Sequence, residues 1–116
     1  MWGMQPWDND RAADWFAGLL SPAFLAHVQT VLRLVESDSI DEEDIPVLRA
    51  AAYCLLHFGY VYVWPAEDLK TDLTRAIQAL RLVEQDEEYC YNKEIREAVK
   101  AECYTLQMRL DALTSR

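Results

Sequence analysis

The sequence predicts an all-α protein, a single-domain bundle of about five helices running mostly up and down. Three observations carry that expectation. Apolar residues recur at three- and four-residue steps through most of the chain. Only three glycines and four prolines occur in 116 residues, too few for a loop-rich or all-β protein. The links between periodic segments are short, which sets consecutive helices side by side. At this length and with 52% apolar residues, one domain can bury roughly 65% of its unfolded surface without disulfide or metal staples.

The elements follow in order. A first helix is predicted over residues 10–20, capped by Asp8 or Asn9, with Ala12, Trp15, Phe16 and Leu19 on one face. Ser21-Pro22 starts a second helix, because serine caps well and proline is pre-set for the first helical position. Its stripe is Leu25, Val28, Val31 or Leu32, and Val35. A third helix begins near Pro46 and runs to Phe58, with Val47, Leu48, Ala51, Ala52 and Leu55 on its face and Gly59 as a left-handed C-terminal cap. Tyr60-Val61-Tyr62-Val63-Trp64 has strand-like composition but no second strand to pair with, so it is read as an extended aromatic connector. Pro65 restarts a helix through Leu69, Leu73, Ala76, Ile77, Leu80 and Val83. The last helix covers residues 92–113, with Ile95, Val99, Cys103, Leu106, Leu110 and Leu113 at near-heptad spacing. That seam suits core packing, and dimerisation is its rival. The repeated strings LRLVESD (32–38) and LRLVEQD (80–86) read as two helix ends of the same period rather than a duplication.

The amino terminus is unusual, since chain ends ordinarily carry small polar residues. Trp2 and Trp7 flank Gly3, and Trp15 follows on the first helix. With Asp8, Asn9, Asp10 and Asp14 these residues are predicted to form a structural hook that folds back onto the bundle. Burial of one such ring contributes about 2–3 kcal/mol, enough to offset the ordering of a few residues. An exposed aromatic anchor for a partner is the competing reading.

These same residues carry a resemblance. Trp2-Gly3, Asn9-Asp10 and Asp14-Trp15 resemble the opening of the family called domain of unknown function 4259, in which Trp-Gly-x-Gly-x-Phe-x-Asn-Asp precedes a helix bearing Asp-Trp. Gln5 stands where that family has glycine, and Trp7 where it has phenylalanine. The resemblance implies a small bacterial protein and carries no activity, cofactor or catalytic residue.

Charge narrows the function classes. Net charge is −9, which disfavours nucleic acid, whose phosphates need a basic face, and anionic membranes. It suits a basic protein partner. Residues 50–66 contain no Asp, Glu, Lys or Arg, but the run is too short to span a bilayer and is broken by Gly59 and Pro65. Three cysteines, an odd number without a close pair, and an opening with no basic n-region point to a reducing cytoplasm.

Motifs for chemistry are sparse, and no catalytic residue or cofactor is predicted. No phosphate-binding glycine loop, no Gly-x-Ser-x-Gly and no His-Glu-x-x-His occurs. Asp8, Asp10 and Asp14 lack the glycine and glutamate that would complete a calcium loop. Cys54 and His57, three apart on one helix, make half of a zinc site, which Cys90, Cys103 or His27 could complete. The same pair lacks a third group to orient it as a nucleophile and base.

The feature above background is acidic clustering. Glu36, Asp38, Asp41, Glu42, Glu43 and Asp44 give six acids in nine residues, and Glu84, Asp86, Glu87 and Glu88 four in five. Several fall near helix carboxyl ends, where the macrodipole is already negative. Alternating helices gather both clusters at one pole. The best expectation is therefore a non-enzymatic acidic module that docks a basic protein there. The alternatives are a self-associating structural protein, using Tyr60, Tyr62 and Trp64 of the connector or the last helix, and a metal-binding enzyme.

Overall fold

The computed structural model describes residues 20–115. The predicted first helix and the hook residues Trp2, Gly3, Trp7, Asp8, Asn9, Asp10, Asp14 and Trp15 lie outside that range.

All the described regular structure is helical. Helix α1 spans Pro22–Leu32 and runs into a 3-10 turn at Arg33–Glu36. Helix α2 spans Asp44–Phe58, α3 spans Ala66–Gln85 and α4 spans Lys93–Thr114. Ser21 caps α1 as expected, and Asn92 caps α4. Ser21 Oγ accepts from the Phe24 N–H at 3.2 Å, and Asn92 Oδ1 accepts from the Ile95 N–H at 2.9 Å. Pro22 and Pro46 sit in first turns, where a missing N–H leaves no bond unmade.

The helices alternate in direction, and side-chain contacts establish it pair by pair. Gln29 reaches Asp68 and Asp72 while Glu36 reaches Arg75, so α1 and α3 ascend together. Arg49 meets Glu102 and Leu55 meets Arg109, so α2 and α4 run together. Glu84 meets Arg96 and Lys100, whereas Ile77 meets Cys103, so α3 and α4 are antiparallel. Helix α3 packs against all three others and carries the core. Its Leu73, Ala76, Ala79 and Val83 are wholly buried, with Leu32, Leu48, Leu55, Val99 and Leu106 closing round them. The two LRLV strings are indeed helix ends, and the first residue of each, Leu32 and Leu80, is in the core.

Two local expectations need correction. The segment 60–64 is a compact turn and not an extended connector. The N–H groups of Val63 and Trp64 both donate to the Tyr60 carbonyl, at 3.1 and 3.0 Å. Its apolar residues do not need a strand partner, because Val63 and Trp64 are buried against the bundle. Gly59 is not left-handed either. Its φ of −80° and ψ of 60°, with the Tyr60 N–H donating to Phe58 O at 2.9 Å, define an inverse γ-turn. Glycine is required there by crowding. A Cβ on Gly59 would stand 2.5 Å from the Leu55 carbonyl oxygen.

No helix among the described residues is long and apolar enough to cross a membrane. The uncharged run 50–66 is divided between α2 and the turn, and each part buries one side in the core.

Candidate functional site

The alternation of helices brings the carboxyl end of α3 to the amino ends of α2 and α4. The α1 segment ends lower on the bundle, where Glu36 meets Arg75 ten residues before the end of α3, and residues 38–43 lead from there up to the start of α2. The carboxylates of the two acidic clusters divide into two groups.

Four of them have structural tasks. Glu36 Oε1 accepts from Arg75 Nε at 2.6 Å. Asp44 Oδ2 accepts from the Asp41 N–H at 2.9 Å and fixes the first turn of α2. Glu84 lies 3.8 Å from Lys100 Nζ. Asp86 Oδ1 accepts from the Tyr89 N–H at 2.8 Å and shapes the link to α4. The adverse dipole at the end of α3 is answered as well. Arg96 donates to the Glu84 carbonyl oxygen at 2.9 Å, placing a cation on a terminal carbonyl.

The other six, Asp38, Asp41, Glu42, Glu43, Glu87 and Glu88, are exposed, and none has a side-chain ion pair among the described residues. Sequence reasoning missed two neighbours, Glu94 and Glu97, exposed on the first turns of α4 at the same end. Their signal was available, since acids in a first turn complement the helix dipole. Lys93 is an exposed cation beside them. The 3-10 turn and the loop that follows put residues 38–43 outside any helix, so that cluster does not oppose a helix dipole.

The aromatic residues separate differently. Tyr62 is 76% exposed and has a φ of 76°, a left-handed conformation costly for a non-glycine residue. Tyr60 is half-buried, and its ring lies under the Arg109 guanidinium, whose carbon stands 3.9 Å from the ring centroid. Trp64 is a core residue, 2% exposed, and offers no surface to a partner. The indole needs a hydrogen-bond acceptor, and it finds one in Asp72 at 2.9 Å.

Asp72 was not singled out from the sequence. It is 1% exposed and also accepts from Gln29 Nε2 at 2.8 Å, with Arg75 Nη1 at 3.8 Å. One carboxylate thereby ties α1, the 60–64 turn and α3. The second network missed is on α2 and α4. Arg49 donates from Nε and Nη2 to both oxygens of Glu102, at 3.1 and 2.7 Å, and from Nη1 to Tyr89 Oη. The hydrogen bond to Glu102 raises the Arg49 pKa above the ordinary guanidinium range, against the opposing effect of burial.

Among the described residues Cys54 and His57 have no third ligand. Among the described residues no group of three or more His, Cys, Asp and Glu side chains is disposed to hold a metal ion. His57 packs against Tyr53 with the rings tilted by 57° and their centroids 4.3 Å apart, and His27 is exposed on α1. Cys90 Sγ donates to Val83 O at 3.3 Å. Burial raises the pKa of the Cys54 and Cys103 thiols, the opposite of what a nucleophile needs.

The family model for a domain of unknown function, DUF4259, matches residues 1–90 of the 116. The chain belongs to the DUF4259 family. Comparison with curated proteins finds no match, and neither does comparison with solved structures. In this DUF4259 protein the match takes in α1, α2, α3 and the acidic clusters, while α4 follows it. The Arg49–Glu102 bridge therefore joins the family portion to the helix beyond it.

Proposed function

We propose that this DUF4259 protein is a non-enzymatic interaction module that docks a basic protein through its acidic end. The observation that supports this reading is the group of six exposed carboxylates without ion-pair partners among the described residues, near the amino ends of α2 and α4. Their mutual repulsion is relieved by a cationic surface, which opposite charge would also steer into register. Among the described residues no group of three or more His, Cys, Asp and Glu side chains is disposed to hold a metal ion, and burial raises the pKa of the Cys54 and Cys103 thiols.

The reading is tested by capture on immobilised protein from its own host lysate at about 50 mM and about 300 mM salt, which shortens the screening length roughly from 14 to 6 Å. A bound basic protein, retained at the lower salt and released at the higher, is the expected result. Capture insensitive to salt would overturn the electrostatic reading.

A second reading, self-association, is favoured by Tyr104 and Met108, which are 66% and 55% exposed and four residues apart on α4. Sedimentation at increasing concentration separates the two. Constant monomer mass removes self-association.

A further inference from the structure

At the end of the bundle remote from the two acidic clusters, the Gly59–Val61 turn, the first turns of α3 and the last turns of α4 line an open hollow of about 150 Å3, formed by Leu69, Leu73, Ala112 and Leu113 and bordered by Arg109. Space on the order of 150 Å3 admits a benzene-sized group. A second hollow of about 310 Å3 adjoins it, sharing Val61, Leu69 and Leu113 and reaching Lys70.

Arg109 is the unusual member. Its Nη1 donates to the Leu55 carbonyl at 3.0 Å, which satisfies the carboxyl end of α2, and its Nη2 donates to Tyr60 Oη. The guanidinium carbon also lies over the Tyr60 ring, 3.9 Å from its centroid. No carboxylate pairs with it among the described residues, although the chain has 20 acids against 11 lysines and arginines. Arg49 and Arg75 each have one, whereas Arg96 resembles Arg109 in being half-buried and bonded to a helix-end carbonyl without one. Burial lowers the Arg109 pKa, the signature of a desolvated cation without a counter-charge. A guanidinium has five N–H donors in a fixed fork, and two are accounted for by Leu55 and Tyr60. Both acceptors hold the side chain in place, so an arriving anion meets a preset group and little side-chain entropy is lost.

We propose that this cavity binds a small monocarboxylate with an apolar tail of about six carbons, its head on Arg109 and its tail against Leu69, Leu73 and Leu113. The inference is independent of docking at the acidic end, which lies at the opposite pole. The lip of the site is formed by Gly59, Tyr60 and Val61.

The experiment is a titration of the full chain with hexanoate, 1-hexanol and acetate, followed by amide chemical shifts at Gly59 and Val61. Hexanoate is expected to saturate, with hexanol and acetate each weaker by about tenfold or more, as loss of a charge-assisted bond or of the tail requires. Ala112→Phe, at an exposed helix position that opens on the cavity, is expected to abolish the response while leaving thermal unfolding unchanged. Arg109→Lys keeps the charge without the fork and is expected to retain weakened binding. Hexanol binding as tightly as hexanoate would reduce the site to an apolar hole and overturn the proposal. So would the absence of saturation on the untouched chain, or an Ala112→Phe protein that binds like the parent.

Discussion

The indole N–H of Trp64 donates to the carboxylate of Asp72 at 2.9 Å, inside the core. Eight residues separate the two, one in the turn and one on α3, and Gln29 of α1 completes the carboxylate's shell at 2.8 Å. The aromatic turn is held to the bundle by this bond, and Asp72 is tolerated in the core because of it.

Trp64→Phe is therefore expected to cost about 1–3 kcal/mol, since it keeps most of the ring but leaves Asp72 short of a donor. Asp72→Asn should cost less in the Trp64→Phe background than alone, because the two changes share one interaction. Urea denaturation of the single and double variants checks this. A neutral Trp64→Phe would mean that the indole bond contributes nothing.

Gly59→Ala is expected to destabilise by about 1–3 kcal/mol. The added Cβ meets the Leu55 carbonyl oxygen at 2.5 Å and Leu55 Cδ1 at 2.9 Å. Backbone cannot rotate aside as a long side chain can, so the γ-turn must open. A fall in the thermal midpoint, without change of helical content, is the expected reading.

Glu102→Gln tests the α2–α4 bridge. Arg49 is 22% exposed at its side chain and Glu102 13%, so the pair is partly shielded from water. Loss of one charge should cost about 1–3 kcal/mol, more than the roughly 0–1 kcal/mol of an exposed pair. Glu36→Gln, which breaks the more exposed contact with Arg75, should cost less. Equal effects would contradict the difference in burial.

The thiols give a pH prediction. Burial raises the pKa of Cys54 and Cys103, so the folded chain holds those protons more tightly than the unfolded one. Their contribution to stability is full below the ordinary thiol pKa and is lost as pH rises through the raised values. Alkylation by iodoacetamide at about pH 8.5, the ordinary thiol value, should lag that of a free thiol and recover in denaturant. Rapid alkylation of the folded chain would show these thiols to be open to water.

Much of the fold was legible because it is local. Ser21, Asn92 and the prolines announce helix starts through bonds that span three residues, and the Leu69-to-Val83 stripe announces a buried face. The 60–64 turn was misread because its composition suits a strand, while its geometry is set by Asp72 on the next helix, which no periodicity reveals. The acidic end was legible in outline, since alternation follows from short links. Which carboxylates are engaged was not. Glu36 is tied by Arg75, 39 residues away, and Asp86 by a turn whose shape the sequence does not state. Arg109 carries no signal at all in sequence, because an arginine without a carboxylate looks like a paired one until the fold is closed.

Recruitment of a basic partner by the exposed carboxylates at one end, and not by net charge alone, is tested most directly with two variants of equal net charge. Both are titrated against the captured protein at low salt. One carries Glu42→Gln, Glu43→Gln and Glu87→Gln. The other carries Glu67→Gln, Thr71→Lys and Gln78→Lys on the exposed face of α3. The first is predicted to lose affinity by about tenfold or more while the second stays near the parent. Equal loss in both would mean that overall charge is all the partner reads, and would contradict docking at the acidic end.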